Sequence, residues 1–311
     1  MKLFLIGASG LTGQELVQMI WKEYRGDSIF QVPARSFSPP DNFDSHSLAF
    51  LCTEEEASRK WVELLSPKGG YIIDLSSAFR LKDGVPLVIP EINGELIRPE
   101  TKLYASPNCT TSILVMGLFP IWKRFGLKAV FASSYQSVSG AGKQGVAQWE
   151  REMRGQKGEN SVFPRSIHRN YFPQVGSIGE DGLSLEERKV IQETQKILNQ
   201  TDFTFGVICV RVPTYRGHAL SVFVQTVKPI DYEILLDEIR QTPGLVHTAD
   251  YATPLDVEGK DEVFLGRLRV FGEHHLSFWV ISDNVRKGGA TNAFQIARKL
   301  IMKVRECSEM S

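Results

Sequence analysis

The chain has 311 residues, which is room for two domains of ordinary size. Its 36 lysines and arginines balance 36 aspartates and glutamates, and this argues against a nucleic-acid or membrane-surface role, since both need a basic excess. No apolar run reaches the roughly 18–20 residues of a bilayer span, the apolar stretch 3–6 is too short for a signal-peptide core, and the four cysteines form no CxxC pair, so a cytoplasmic protein without a metal site or disulfides is expected.

Residues 3–6 (LFLI) predict a short buried strand. Gly7-Ala-Ser-Gly10-Leu-Thr-Gly13 follows. A helix is then expected from Leu11 to about Tyr24, with Leu16, Val17, Ile20 and Trp21 on one face. This order opens a βαβ-type unit. Further strands are predicted at 48–52, 71–75 and 87–89, and in the second half at 130–134, 204–212, 220–227, 263–270 and 276–281. Few helices separate the later strands, which suggests a mixed or antiparallel sheet. Ser184, with Glu187 three residues on, is the capping box of a helix over 184–199. The stretch 154–182 is rich in glycine, proline and charge and reads as the least regular. A final amphipathic helix is expected from Ala290 to Val304 and could pack back on the first domain. The fold expected is α/β: an N-terminal Rossmann-type dinucleotide-binding domain (1–110 plus 285–311) and a second α+β domain (111–284) with a mixed or antiparallel sheet.

A GxxGxxG turn between strand and helix presents free backbone N–H groups at a helix N-terminus, where glycines let phosphates approach and the dipole favours their charge. The cofactor-binding candidates here are Ser9, Gly10, Leu11 and Thr12. Where an NAD enzyme usually places an acid for the ribose 2′-hydroxyl, this chain has Arg35 and Ser36; a guanidinium and a hydroxyl suit a 2′-phosphate and favour NADP.

Cys109 follows Ser106-Pro-Asn and precedes an apolar run. The proline and asparagine read as a turn, which puts the cysteine in the first turn of a helix, where unpaired N–H groups stabilise a thiolate or an oxyanion. A buried structural cysteine is the alternative, and it is the reading for Cys52, Cys209 and Cys307. Arg211 stands inside an apolar strand. A buried guanidinium needs an anion, either a substrate carboxylate or an internal acid. Glu186 and Lys189, three residues apart on one helix face, read by themselves as a solvated ion pair.

Taken in order, GASGLTG at 7–13, ARS at 34–36, DLSSAFR at 74–80, VPLVIPEIN at 85–93, SPNCTT at 106–111, YQSVSGAGK at 135–143, EERK at 186–189, CVRVPTYRGH at 209–218 and SDNVRKGGATNAFQIA at 282–297 resemble the aspartate-semialdehyde dehydrogenase family over nearly the whole chain. The resemblance implies reduction of aspartyl phosphate to the semialdehyde by NADPH through a thioester on Cys109, in the biosynthesis of lysine and diaminopimelate, threonine and methionine. His218 would be the general acid/base. Gln136, Glu186 and Arg211 would bind substrate, and Arg80 and Lys189 its phosphate. Ser139 and Gly140 would border the nicotinamide, and Asn284 would make a late cofactor contact. A homodimer is also implied, with the second domain's sheet at its interface; no metal is.

One departure stands out. Where the family usually has a small, glycine-rich loop after its third strand, this chain reads Cys52-Thr-Glu54-Glu55-Glu56, and those acids would repel a pyrophosphate unless they point away. Two alternatives remain open on sequence: N-acetyl-gamma-glutamyl-phosphate reductase, whose family typically has glycine before its cysteine, and a non-catalytic, dehydrogenase-like nucleotide-binding protein.

Overall fold

A computed structural model describes residues 1–24, 29–156 and 161–309. The chain forms two compact units, Met1–Asn108 with Gly289–Ser311, and Cys109–Gly288. The sequence reading put the junctions at 110/111 and 284/285. In the structure a helix begins at Cys109 and takes that residue with it into the second unit.

The first unit holds β1 (Lys2–Ile6), α1 (Leu11–Tyr24), β2 (Ile29–Val32), β3 (Ser47–Leu51), α2 (Glu55–Leu65), β4 (Tyr71–Asp74), α3 (Pro90–Asn93) and β5 (Leu103–Ala105). Its strands form a parallel sheet in the order β2-β1-β3-β4-β5. Continuous apolar strands such as LFLI and SLAFL suit a sheet covered on both faces, and Phe4, Leu5, Ile6 and 48–51 are fully buried. Leu16 and Ile20 of α1 pack into this core, together with Ala293, Phe294, Ile296 and Leu300 of the C-terminal helix Thr291–Glu309. Trp21, expected on the same face of α1, is 53% exposed. The strand expected at 87–89 is a single bridge, Leu87 to Ala105. One edge strand is β5, a segment too short to show a period-2 pattern.

The second unit holds α4 (Cys109–Phe125), β6 (Leu127–Gln136), α5 (Gly142–Met153), α6 (Leu185–Leu198), β7 (Thr204–Arg211), β8 (His218–Thr226), α7 (Tyr232–Gln241), β9 (Leu245–His247), α8 (Pro254–Val257), β10 (Val263–Phe271) and β11 (His275–Ser282). Six strands form a mixed sheet in the order β7-β6-β8-β11-β10-β9. The outer pairs β6–β7 and β9–β10 are parallel and the rest antiparallel. Alternation along β6 and β8 divides the faces: Val130, Ala132, Val222 and Val224 are buried, while Phe131 and Phe223, partners in register, are half exposed. α4 packs on the buried face, where Gly117 leaves room for Phe278 and Val280. The capping box of α6 forms as expected, with Ser184 and Glu187 satisfying each other's backbone, and Asn199 closes the helix in the left-handed region.

The described part of 154–182 is irregular but well anchored. Phe163, Ile167 and Phe172 pack with Val138 in a small core. The Glu152 carboxylate accepts from the Ser166 hydroxyl and the backbone N–H groups of Ile167 and His168. These ties run between distant positions, which no local pattern reveals.

Candidate active site

In the first unit, the turn from β1 into α1 uses its glycines for three different reasons. Gly7 has φ +83° and lies so close to the Cys52 carbonyl that a Cβ there would be 2.5 Å from the oxygen. Gly13 packs on the turn itself, where a Cβ would meet the Cα of Ala8 at 2.7 Å. Above Gly10 only the Gly7 carbonyl, at 3.9 Å, lies within reach of a Cβ. Ser9 is exposed and Gly10, Leu11 and Thr12 are half-buried, and the first turn of α1 carries no acid. The turn thus offers uncovered N–H groups at a helix N-terminus, and these fit a dinucleotide's phosphates. Arg35 and Ser36 follow β2, both exposed; the Ser36 hydroxyl donates to the Pro33 carbonyl, and Arg35 has no ion-pair partner among the described residues.

Glu54, Glu55 and Glu56 start α2 and all are exposed. The Glu55 carboxylate accepts from Arg59 Nη2 at 2.7 Å and from the Ser77 hydroxyl at 2.8 Å. Acids in a first turn complement the helix dipole, so this run has a structural use. Arg80 is buried; its Nε and Nη2 donate to the carbonyls of Ser106 and Leu75, which ties it to the turn before Asn108.

In the second unit, register gathers the remaining candidates. Gln136 ends β6 and is paired in register with Arg211, the last residue of β7. β8 runs antiparallel to β6, so His218, its first residue, starts at the same end. His218 is paired in register with Ser282, the last residue of β11, and Asn284 stands two residues beyond. All four side chains are buried. Arg211 and His218 converge on Gly140, where a Cβ would stand 2.8 Å from His218 Nε2 and 3.0 Å from Arg211 Nη1.

Arg211 Nη1 donates to the Ser137 carbonyl at 2.6 Å, and the guanidinium lies over the Phe163 ring. Burial draws Arg211 below its ordinary value, while Glu186, Cys109 and Cys209 oppose that shift. His218 is pushed down to about 3, by burial first and by the Arg211 charge second. Its Nδ1 accepts from the Ser137 N–H at 3.1 Å. Its Nε2 is buried with no hydrogen-bond partner among the described residues. Gln136 Nε2 donates to the Ser134 hydroxyl at 3.1 Å.

Cys109 is the first residue of α4 and is half-buried. No acid stands in that first turn, so its N–H groups favour negative charge on a nearby sulfur or oxygen. The Gly288 backbone packs against it: a Cβ on Gly288 would be 2.6 Å from that of Cys109. Glu186 is buried and accepts from the Thr110 hydroxyl at 3.4 Å. Glu186 and Lys189 therefore do not form the solvated pair that their spacing alone suggests. Lys189 is half-buried on the next turn. Asn284, expected at the cofactor, directs its amide to Ser137, Ser139 and the backbone of Gly217.

Sequence reasoning missed Ser137, which holds His218, and Gly288, which backs Cys109. Both lie inside the quoted motifs, but their roles depend on contacts 81 residues apart for Ser137 and far along the chain for Gly288.

Residues 27–99 match the family described as semialdehyde dehydrogenase, NAD binding domain, and residues 118–287 the semialdehyde dehydrogenase dimerisation domain. The chain is 36% identical over 325 residues to aspartate-semialdehyde dehydrogenase 2 of Vibrio cholerae, covering 96% of each chain. It is 35% identical to aspartate-semialdehyde dehydrogenase of Aquifex aeolicus, covering 86% of this chain and 83% of that one. The solved structure of aspartate semialdehyde dehydrogenase II from Vibrio cholerae complexed with ASA matches with a TM-score of 0.89 at 34% identity, covering 97% of this chain and 98% of that one.

Proposed function

The chain belongs to the aspartate-semialdehyde dehydrogenase family, and from that premise we propose that it converts L-aspartyl 4-phosphate to L-aspartate 4-semialdehyde and phosphate, using NADPH and a thioester on Cys109. One observation carries this reading. The helix that begins at Cys109 and the sheet end bearing Gln136, Arg211 and His218 belong to one unit, where Arg211 feels both Cys109 and Glu186.

The Cys109 thiolate forms a C–S bond at the acyl carbon. The C–O bond to phosphate breaks, and phosphate leaves with the electron pair and a solvent proton. Bound NADPH supplies the hydride that turns the thioester into the aldehyde level. The C–S bond then breaks with its electrons returning to sulfur, which restores the thiolate as the semialdehyde departs. His218 serves the carbonyl oxygen through Nε2 as the acid–base group. Arg211 grips the substrate carboxylate, Glu186 the ammonium, and Gln136 orients the chain between them. Lys189 and Arg80 are the cations assigned to phosphate. The cofactor contacts are Ser9, Gly10, Leu11 and Thr12 on the pyrophosphate, Arg35 and Ser36 on the 2′-phosphate, and Ser139 and Gly140 at the nicotinamide. Asn284 belongs to the same group through its place beside Ser139. The product would feed the biosynthesis of lysine, threonine and methionine.

The open face of the second unit's sheet supports a homodimer. Phe131, Ile208 and Phe223 are more than half exposed there, and a groove beside them is lined by Ser221, Tyr251 and Trp279. The deciding experiment is phosphate-dependent reduction of NADP and NAD with aspartate semialdehyde and with N-acetylglutamate semialdehyde. Turnover confined to the first aldehyde, and faster with NADP, is expected. Dinucleotide binding without turnover of either aldehyde overturns the reading.

A further inference from the structure

β7 lies at the edge of the six-stranded sheet, so the N–H groups along its outer side face no neighbouring strand. Those of Cys209 and Arg211 are covered in different ways. The Arg211 N–H donates to the Phe172 carbonyl at 2.9 Å, and the Phe172 N–H returns a bond to the Arg211 carbonyl at 3.2 Å. The Cys209 N–H donates to a side chain instead, Glu187 Oε1, at 2.8 Å. The other oxygen of that carboxylate accepts from the Ser184 N–H at 2.6 Å. Glu187 is buried, so these bonds are made away from bulk water. One carboxylate thereby joins the N-terminus of α6 to the middle of β7.

The two elements so joined carry the groups assigned to the amino-acid end of the substrate. Glu186 immediately precedes Glu187, and Arg211 stands two residues beyond Cys209. The segment that leads from Phe172 into α6 is laced to the start of the helix: the Leu185 N–H donates to the Ser177 carbonyl at 2.8 Å, and the Glu186 N–H to the Val175 carbonyl at 3.3 Å. Burial first, and the Glu186 charge second, push the Cys209 thiol up, as a carboxylate standing beside this part of β7 does. Helix capping by itself does not call for the bond to Cys209. At the start of α8 the shorter Asp256 closes the same kind of box, accepting from the Thr253 N–H at 2.8 Å. The additional methylene of a glutamate at 187 lets one carboxylate close the box and reach the strand as well.

The geometry points to Glu187 as a positioning residue for substrate selection: by tying α6 to β7 it fixes the separation between the Glu186 carboxylate and the Arg211 guanidinium. An α-amino acid carries its ammonium and its carboxylate on one carbon, so the two groups that read them tolerate little change in spacing. Glu187 acts through Glu186, with both of its own oxygens turned to backbone N–H groups. Arg211 keeps its place on β7 without it, through Phe172 and the pairing of β7 with β6. Loss of the tie therefore falls on recognition of the ammonium. This rests on the reading that Arg211 takes the substrate carboxylate and Glu186 the ammonium, and adds what holds the two at a set distance.

The test compares two aldehydes in the phosphate-dependent reduction of NADP: aspartate semialdehyde, and succinate semialdehyde, which keeps the carboxylate and lacks the ammonium. The quantity read is the ratio of their kcat/KM values; where succinate semialdehyde turns over too slowly, its Ki as a competitor takes the place of its KM. Glu187→Asp keeps the charge and the capping box but falls short of Cys209. It should lower the ratio about 10- to 100-fold, the worth of a hydrogen bond to a charged group, and chiefly by raising KM for aspartate semialdehyde. Glu187→Gln should move the ratio the same way, because an amide offers one oxygen where two N–H groups must be received. Ser184→Ala removes the hydroxyl that accepts from the Glu187 N–H at 3.4 Å and leaves the tie to Cys209 intact. It should lower Tm and keep the ratio within about twofold of wild type. A wild-type ratio in Glu187→Asp, an equal loss for both aldehydes, or a ratio as low in Ser184→Ala overturns the inference. Wild-type selectivity in Glu186→Ala overturns the underlying reading instead.

Discussion

Gly140 has no room for a side chain, since a Cβ there would intrude on both His218 Nε2 and Arg211 Nη1. Gly140→Ala should therefore cost kcat/KM about 100-fold or more, with a Tm close to wild type, because misplacement near the reacting atoms costs far more in rate than in stability. Wild-type kinetics in that variant would separate Gly140 from the site. Cys109→Ser should abolish turnover yet bind NADPH as before, which titration of cofactor fluorescence would measure. His218 also predicts a stability effect. Its folded value, about 3, lies below the ordinary 6.5, so between those pH values the unfolded chain binds a proton that the folded chain does not. Its contribution is complete above about pH 6.5 and falls by about 1.4 kcal/mol per unit as pH drops towards 3. Denaturant melts across pH should show this slope as the difference between wild type and His218→Gln. Of these residues, Cys109 and Arg211 stand out in the sequence as candidates, because a thiol after Pro-Asn and a guanidinium in an apolar strand are chemically conspicuous, whereas His218 is singled out only by the family resemblance. Ser137 does not stand out, because nothing about a serine tells which distant ring it will meet.

At the scale of elements, the turn from β1 to α1 was visible because glycine spacing is local, whereas β2 itself, four residues long, was not among the strands expected. The cofactor preference is argued there. Arg35→Ala should weaken NADPH more than NADH, measured as the ratio of dissociation constants; equal loss would remove Arg35 from the 2′-phosphate. The glutamates that open α2 are exposed, and Glu55 is engaged by Arg59 and Ser77. Their repulsion of a dinucleotide is accordingly screened by water and salt. A Glu54→Gln, Glu56→Gln double variant should bind NADPH less than about tenfold more tightly at low salt, and the gain should vanish near 1 M salt. A gain that survives high salt would place those carboxylates in direct contact with the cofactor. The elements misjudged from sequence were the short ones. Leu87 and its neighbours read as a strand for their apolar character but form one bridge, while three residues at 103–105 form an edge strand.

For the whole molecule, the change in strand character along the chain predicts one parallel and one mixed sheet, and both are present. Among the described residues no helix is long and apolar enough to cross a membrane. The open sheet face of the second unit is the surface on which a dimer is argued. Phe223→Asp, with Phe131 opposite it, should turn a dimer into a monomer in sedimentation velocity at micromolar concentration; an unchanged mass would move the interface elsewhere. By itself the sequence determined what is written locally: glycine turns, strand and helix periods, a capping box, and the residue types that chemistry demands in their order. Only the tertiary structure decided which nitrogen of His218 is held, that Glu186 is buried, and that Gly140 abuts both His218 and Arg211 while Gly288 backs Cys109. Those outcomes depend on register between strands and on close approaches between distant segments, and the energy of such contacts is set by packing in three dimensions, which no window along the chain contains.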